Sequence, residues 1–493
     1  MGNLRQRFSG SIWSRPVGAV LLAGALAGCA AQQGAGFDHV QSLVRERTGM
    51  VVRWNTHSEL DREAEASAAK LLERPLDAES AVQVALLKNA ILQATFEDVG
   101  IAQADLVQAG LLSNPILNVN IRFPTRGPSK TYLDFAAAEN FLDVFLIPAK
   151  EKIAAGQLET ARARVAGEVL DLAARTKSAF YSYQAAQQRI ELMQSVVDAT
   201  AASFEVAKQL REAGNISELQ YLAEQAPAGR ARVELETAKS DAAEMRERLS
   251  SLMGLSGVEG DWTVAGRLPD LPGEDGHFDQ LEFVALRRRM DLAAARQELA
   301  VQERVLGLTE QTRFVSSLEL GAEAERETDG QWRIGPSLSV PVPLFDQGQG
   351  TVARAQAVYR QSRDRYIAMA VDVRSQVRAA QAKMRGARSA ARLYHDEILP
   401  VQQKLLDQTQ LQYNGMLVGV FQLLQAKRDQ IDAAGRYIDA LRDYWVARAE
   451  LERAIGGRLP DVTQAATRPA GPTTREGSPV HSGAEHHHQH HGE

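Results

Sequence analysis

The sequence predicts a mainly helical chain with a smaller β component, laid out twice as strand, strand, long helix and returning helix. Three observations carry that expectation. From Ala149 to Glu212 the chain has no proline and keeps a narrow stripe of Leu, Val and Ile among alanines, the pattern of one uninterrupted helix. Four short segments alternate apolar and polar residues, as half-exposed strands do. LIPAKEKIAAGQLETARARVAGEV, from Leu146, has the layout of LFDQGQGTVARAQAVYRQSRDRY, from Leu344, at an offset of 198, which marks an internal duplication.

The amino terminus carries Arg5, Arg7 and Arg15 before an apolar run from Val17 to Ala27. That run is about eleven residues, shorter than the roughly twenty a spanning helix needs. Residues 1–28 therefore read as an export signal. Leu26-Ala27-Gly28-Cys29 resembles a bacterial lipobox, which implies acylation of Cys29 and, with Ala30 rather than Asp following it, delivery to the outer membrane. Cys29 is the only cysteine, so no disulfide can form within one chain. An ordinary signal peptide with a chance cysteine is the alternative.

Residues 29–75 form an amino-terminal periplasmic segment, 76–260 the first repeat, 261–279 a linker, 280–457 the second repeat and 458–493 a tail. In NPILNVNIRFP, Leu117, Val119, Ile121 and Phe123 oppose Asn118, Asn120 and Arg122. KTYLDFAAAENFLDVFL is a blurred second strand. In FVSSLELGAEAER, Leu318, Leu320, Ala322 and Ala324 alternate with Glu319, Gly321, Glu323 and Glu325. In WRIGPSLSVPVPLF, Trp332, Ile334, Leu338, Val340, Val342 and Leu344 share one parity, and Pro341 and Pro343 limit ladder donation where the sheet must end. Such segments suit transmembrane β-strands, and four are too few to close a barrel of about eight or more, so several chains must contribute. A small soluble sandwich is the other reading of the same alternation.

The first long helix, Ala149 to Glu212, would span about 96 Å, and the second, from about Gln347 to Tyr413, is interrupted by Pro400. The returning helices run from about Ser217 to Met253 and from Val420 to Ile455. LREAGNISELQYLAEQ and LQYNGMLVGVFQLLQAK join them to the long helices. Aligning Gly214 with Gly415 gives an offset of 201, and aligning Gln220 with Gln422 gives 202.

GPSLSVPVPLFDQGQGTVARAQAVY resembles the strand-to-helix entry of the TolC-type outer-membrane efflux factors, and the likeness runs from Cys29 to about Leu459. The resemblance implies the outer membrane factor fold, a homotrimer whose twelve-stranded β-barrel continues into a periplasmic α-helical tunnel. It further implies partners: outer-membrane lipid, a periplasmic membrane-fusion adaptor and an inner-membrane RND-type pump. By the same resemblance Gly214, Asn215, Ile216 and Ser217, with Gly415, Met416, Leu417 and Val418, are adaptor-docking tips. Glycine there suits a tight reversal, and both glycines can equally be helix C-caps. The family's closing constriction falls on Gln422 and Gln425, with Tyr413 upstream. Glutamine in place of acidic residues argues against a charged gate ring; Glu218 and Glu224 are replacements unless they sit on a solvated face.

The tail is rich in Pro, Thr, Gly and Ser, and six of the ten histidines lie in its last thirteen residues. The composition predicts disorder over 458–493, and His486, His487, His488, His490 and His491 can ligate zinc, copper or nickel; a purification tag, which the inserted Gln489 argues against, and a neutral polar tail are the alternatives. They turn the expected cargo towards heavy-metal cations, with multidrug efflux as the alternative. Lys plus Arg is 56 against 62 Asp plus Glu, a formal charge of −6, which offers nothing to nucleic acid. A mean hydropathy of −0.27 excludes a polytopic helical membrane protein. No HExxH, P-loop lysine motif or free catalytic cysteine is present, GQG at Gly348 is a lone pair at a turn, and His395 beside Asp396 reads as a surface pair. The chain is expected to be no enzyme and to need no cofactor. A lipid-anchored periplasmic coiled-coil scaffold remains the reading of another class.

Overall fold

The computed structural model describes residues 36–459 except 57, 124, 126–129, 258–260, 274–279 and 316. Cys29 and the histidines from His486 to His491 lie outside the described residues.

Four antiparallel strands, β1 (Ile116–Arg122), β2 (Tyr132–Asn140), β3 (Glu319–Arg326) and β4 (Trp332–Ser339), form one sheet in chain order. Its register explains the alternation. Leu117 pairs with Ala137, which pairs with Ala322, which pairs with Pro336; Val119, Phe135, Ala324 and Ile334 form the next row. One apolar face thus crosses all four strands and is exposed in the single chain. The opposite face carries Asn118, Asn120, Asp134, Glu319, Glu323, Glu325 and Arg333. β1 and β4 are the edges, and among the described residues neither has an outer neighbour.

Ahead of the sheet stand α1 (Phe37–Thr48), α2 (Glu59–Leu72), α3 (Ala78–Lys88) and α4 (Ala90–Ala109). After β2 come α5 (Leu142–Glu212) and α6 (Glu218–Met253), and between the repeats α7 (Leu281–Arg288) and α8 (Met290–Thr312). After β4 come α9 (Gln349–Leu393), a π-helical turn (Tyr394–Ile398), α10 (Leu399–Asn414) and α11 (Val420–Ile455).

Three expectations need correction. The second strand stops at Asn140, and FLDVFL opens the helix instead. Asn140 ends the ladder, because its Oδ1 accepts from Leu142 N at 3.2 Å and from Leu318 N at 3.1 Å. As a result α5 has 71 residues with Pro148 inside its second turn, and spans about 106 Å. In the fourth segment the ladder ends at Ser339, so Val340, Val342 and Leu344 continue the parity without strand pairing. The break expected at Pro400 takes the form of the π turn just before it, where wider bonding absorbs the donor that proline lacks.

The repeats share their close approaches. Gly254 (φ 72°) and Gly456 (φ 78°) end α6 and α11. A Cβ on Gly254 would lie 2.6 Å from the Lys88 carbonyl at the α3–α4 junction, and one on Gly456 2.9 Å from the Arg288 carbonyl at the α7–α8 junction. Each returning helix therefore plugs into the kink between a short helix and a longer one. The main core gathers Phe37, Val44, Phe96, Val165, Phe180 and Met253, so the amino-terminal segment packs on the first repeat. Residues 261–273 lie against the helices, with Trp262 buried, Gln184 donating to Ala265 O at 2.6 Å and Trp445 to Pro269 O at 2.8 Å.

Asp61 holds the start of α2. Burial pushes its carboxyl up, but Arg53, the Ser58 amide and hydroxyl and the Thr56 amide outweigh that and hold it at about 2. A lowered pKa adds stability above the ordinary 3.8 that is lost as pH falls through 2. Hydrogen-exchange protection of the α2 amides, relative to the intrinsic rate at each pH, should fall across that window in the wild type. In Asp61→Asn the protection should already be low at neutral pH and show no such step.

Candidate functional site

The long and returning helices meet at two exposed turns, and their backbone settles the register between the repeats. In the first, Gly214 N donates to Arg211 O at 3.0 Å and Asn215 N to Leu210 O at 2.8 Å, with Gly214 at φ 75°. In the second the same bonds run from Met416 N to Tyr413 O at 2.9 Å and from Leu417 N to Gln412 O at 2.8 Å. Met416, at φ 60°, therefore corresponds to Gly214, and the offset is 202. Aligning the two glycines was off by one residue: Gly415 keeps a negative φ of −81° and serves as the helix cap.

The capping that follows is also duplicated. Ser217 N donates to Gln220 Oε1 at 2.9 Å, and Gly419 N to Gln422 Oε1 at 3.2 Å. Glycine at 419 has no hydroxyl to return the bond, so the second box is half made. Ile216 and Val418 are the half-buried pins under the two turns, while Gly214, Asn215, Ser217 and Gly415 are exposed. Met416 is 93% exposed and Leu417 80%, beside exposed Leu219 and Leu411. The turns thus present apolar side chains on rigid, capped backbone.

Gln422 spends its carbonyl oxygen on the cap, and Gln425 Nε2 donates to Asp429 Oδ1 at 2.8 Å. Gln422, Gln425, Asp429 and Asp432 follow one another at three- and four-residue steps on an exposed face of α11. Carboxylates therefore do occupy that face, further from the turn than the glutamines, and Asp432 is paired with Arg436 at 3.0 Å. The three- and four-residue spacing of these side chains is legible in the sequence. Tyr413 is exposed, one residue before the end of α10.

Glu224 is not on a solvated face. It accepts from Arg428 Nη2 at 2.9 Å and from Ser203 Oγ, tying α6 to α5 and α11. Glu218 pairs with Arg211 across the first turn. His395 Nδ1 sits 2.7 Å from Asp396 Oδ1 on the exposed surface, as expected of a surface pair. Among the described residues no group of His, Cys, Asp and Glu could hold a metal ion, and no helix is long and apolar enough to cross a membrane.

A sheet with one lipid-suited face, continued by a wall of helices that ends in two exposed turns, defines the class of outer-membrane ducts. Residues 148–255 and 284–457 match the family described as outer membrane efflux protein, and the chain belongs to that family. Its members are channels, not enzymes. The chain is 24% identical over 386 residues to the cobalt-zinc-cadmium resistance protein CzcC of Cupriavidus metallidurans, covering 78% of this chain and 90% of that one. Its fold is that of crystallised CusC (TM-score 0.63, 16% identity, 77% of this chain and 92% of CusC). It is equally that of the open-state MtrE outer membrane channel of Neisseria gonorrhoeae (TM-score 0.64, 18% identity, 79% and 89%).

The duplicated turns differ in strain. A Cβ on Gly214 would meet nothing within 4 Å, so Gly214→Ala should cost only the backbone term, about 1 kcal/mol. Met416→Gly should gain a similar amount by relieving positive φ. Amide hydrogen exchange at the two turns should move in opposite directions in the two variants.

Proposed function

We propose that this chain is the outer-membrane channel of a tripartite efflux system for heavy-metal cations, working as a homotrimer with a periplasmic adaptor and an inner-membrane RND-type pump. The sheet is the observation that carries the channel reading. Its apolar face suits lipid, its polar face suits water, and its two free edges need partners that one chain cannot supply. Three copies give twelve strands, enough for a barrel with an aqueous lumen. Acylation of Cys29 would anchor the amino terminus beside that barrel.

In this reading the turns around Gly214 to Ser217 and Gly415 to Val418 receive the adaptor, and their exposed Leu and Met side chains supply the apolar contact. Tyr413, Gln422 and Gln425 mark the tunnel's narrow end, with Asp429 and Asp432 as the acidic step beyond it. The cargo assignment rests on the relative named for cobalt, zinc and cadmium resistance and on the histidines from His486 to His491. Multidrug efflux by the same fold is the second reading.

Deleting the gene should lower tolerance to cobalt, zinc, copper or nickel while leaving dyes and antibiotics unaffected. New drug sensitivity with unchanged metal tolerance would overturn the metal assignment and leave the channel. The polar face of the sheet carries Asp134, Glu319, Glu323 and Glu325 against Arg122 and Arg333. Purified protein in a planar bilayer should therefore favour potassium over chloride, and Glu323→Gln with Glu325→Gln should lower that preference severalfold. A wild-type pore that favours chloride would contradict the assignment of this face to the lumen.

A further inference from the structure

The apolar face of the sheet does not stop where its ladder does. Pairing ends at Ser339 and α9 begins at Gln349, yet Val340, Val342 and Leu344 continue the parity of Leu338 and stay exposed. Phe345 beside them is 92% exposed. This turn is held in place by its own hydrogen bonds. Leu344 N donates to Val342 O at 2.9 Å, Gly348 N to Asp346 Oδ1 at 2.9 Å, and Gln349 Nε2 to Phe345 O at 3.2 Å. Against it opens a hollow of about 610 Å³, lined by Arg313 and Phe314, just past the end of α8, and by Pro343, Leu344, Phe345 and Asp346 of the turn.

Arg313 is the cation of this apolar hollow. Its Nε donates to Gln347 O at 3.2 Å and its guanidinium carbon lies 4.5 Å from the centre of the Phe314 ring, so the half-buried side chain is fixed in place. Among the described residues its two Nη groups have neither a hydrogen-bond nor an ion-pair partner. Asp346, the carboxylate of the lining, spends Oδ1 on the Gly348 amide. The first repeat lacks this arrangement. Gly110 follows α4 as Arg313 follows α8, and a Cβ there would lie 2.6 Å from the Glu151 carboxylate. Lys150, close by in the chain, is already paired with Asp143 at 2.7 Å. Exposed Phe145 therefore has no free cation beside it, and the arrangement occurs once per chain among the described residues.

We propose that this hollow seats one glycerophospholipid of the periplasmic leaflet, with its phosphate on the Nη groups of Arg313 and its acyl chains along Val342, Leu344 and Phe345 towards the sheet. The inference rests on the channel reading and adds a lipid site to it. Two observations select the occupant. The hollow is continuous with the sheet face that suits hydrocarbon, and it lies where strands give way to helices, the level at which headgroups meet water. The two free Nη groups match two oxygens of a phosphate, and an arginine stem tolerates apolar surroundings while its head reaches the headgroup layer. A free anion would satisfy Arg313 and leave the apolar turn in water.

The test titrates full-length protein in non-ionic detergent with phosphatidylglycerol, or with diacylglycerol of the same chains, and reads retained lipid by native mass spectrometry. The wild type should hold phosphatidylglycerol, one per chain, about tenfold more tightly than diacylglycerol, the weight of a charge-assisted hydrogen bond. Arg313→Gln should bind the two lipids alike, and Arg313→Lys should keep part of the preference because the charge remains. Inorganic phosphate should not displace the lipid. Phe345→Trp should add fluorescence that chain-brominated phosphatidylglycerol quenches. Equal retention of both lipids by the wild type, full displacement by inorganic phosphate, or unquenched fluorescence in Phe345→Trp, as a second copy covering the turn would give, overturns the lipid site and leaves the channel reading standing. A monomer in detergent with no conductance overturns both.

Discussion

The unpaired edges of the four-stranded sheet are the constraint from which the rest of the molecule follows. Each backbone N–H or C=O left bare in hydrocarbon costs several kcal/mol, so a sheet with an apolar face and open edges is stable in a membrane only when closed. One chain offers four strands in sequential order, with β1 and β4 outermost. Closure by copies of the same chain requires that everything attached to the strands also fit around a ring. The helices below must then leave the sheet at matching heights on both sides, through the segments Gly110 to Ile116 and Ser339 to Gly348.

A wall of helices solves a different problem from a core. α5 is too long to be buried along its length, and its buried residues concentrate between Ala154 and Ala185, where α3, α4, α6, α8 and α11 crowd against it. Below that belt it packs on α6 and α11, with Thr200, Ser203 and Ala207 as small contact residues. Glu224, held by Arg428 and Ser203, is the polar tie in this thinner region. The π turn before Pro400 belongs to the same economy, because a helix in a wall tolerates a change of phase that a packed core would resist.

Much of this was legible from periodicity. The parity of Leu117, Val119 and Ile121, of Leu320, Ala322 and Ala324 and of Ile334 and Leu338 is the apolar face of the sheet, and both returning helices have the expected ends to within a residue. The misses have local causes. FLDVFL is apolar enough for a strand, but Asn140 spends its side chain on Leu142 and Leu318 amides and turns the chain into a helix. Gly415 drew the alignment because glycine usually marks positive φ, whereas here Met416 takes that conformation under the demand of the six-residue turn. Glu224 looked like surface charge, since its partners Arg428 and Ser203 are distant in sequence. Which neighbour a wall helix faces is a tertiary fact that period alone cannot supply.

A duct that performs no chemistry must attract its cargo without keeping it, because binding has to be weak enough to permit exit. Carboxylates on the polar face of the sheet alternate along β3 at Glu319, Glu323 and Glu325, and Asp134 stands beside Glu325. Arg333 and Arg122 are set among them, which lowers the field without cancelling it. Spread in this way, the charge makes a diffuse negative field along the polar face. Along the exposed face of α11 the charge is graded: uncharged Gln422 and Gln425 nearest the turn, Asp429 next, then Asp432 paired with Arg436. Carboxylates gathered on the polar face of the sheet and basic residues gathered on α9 keep the two signs of charge apart within one chain whose net charge is −6.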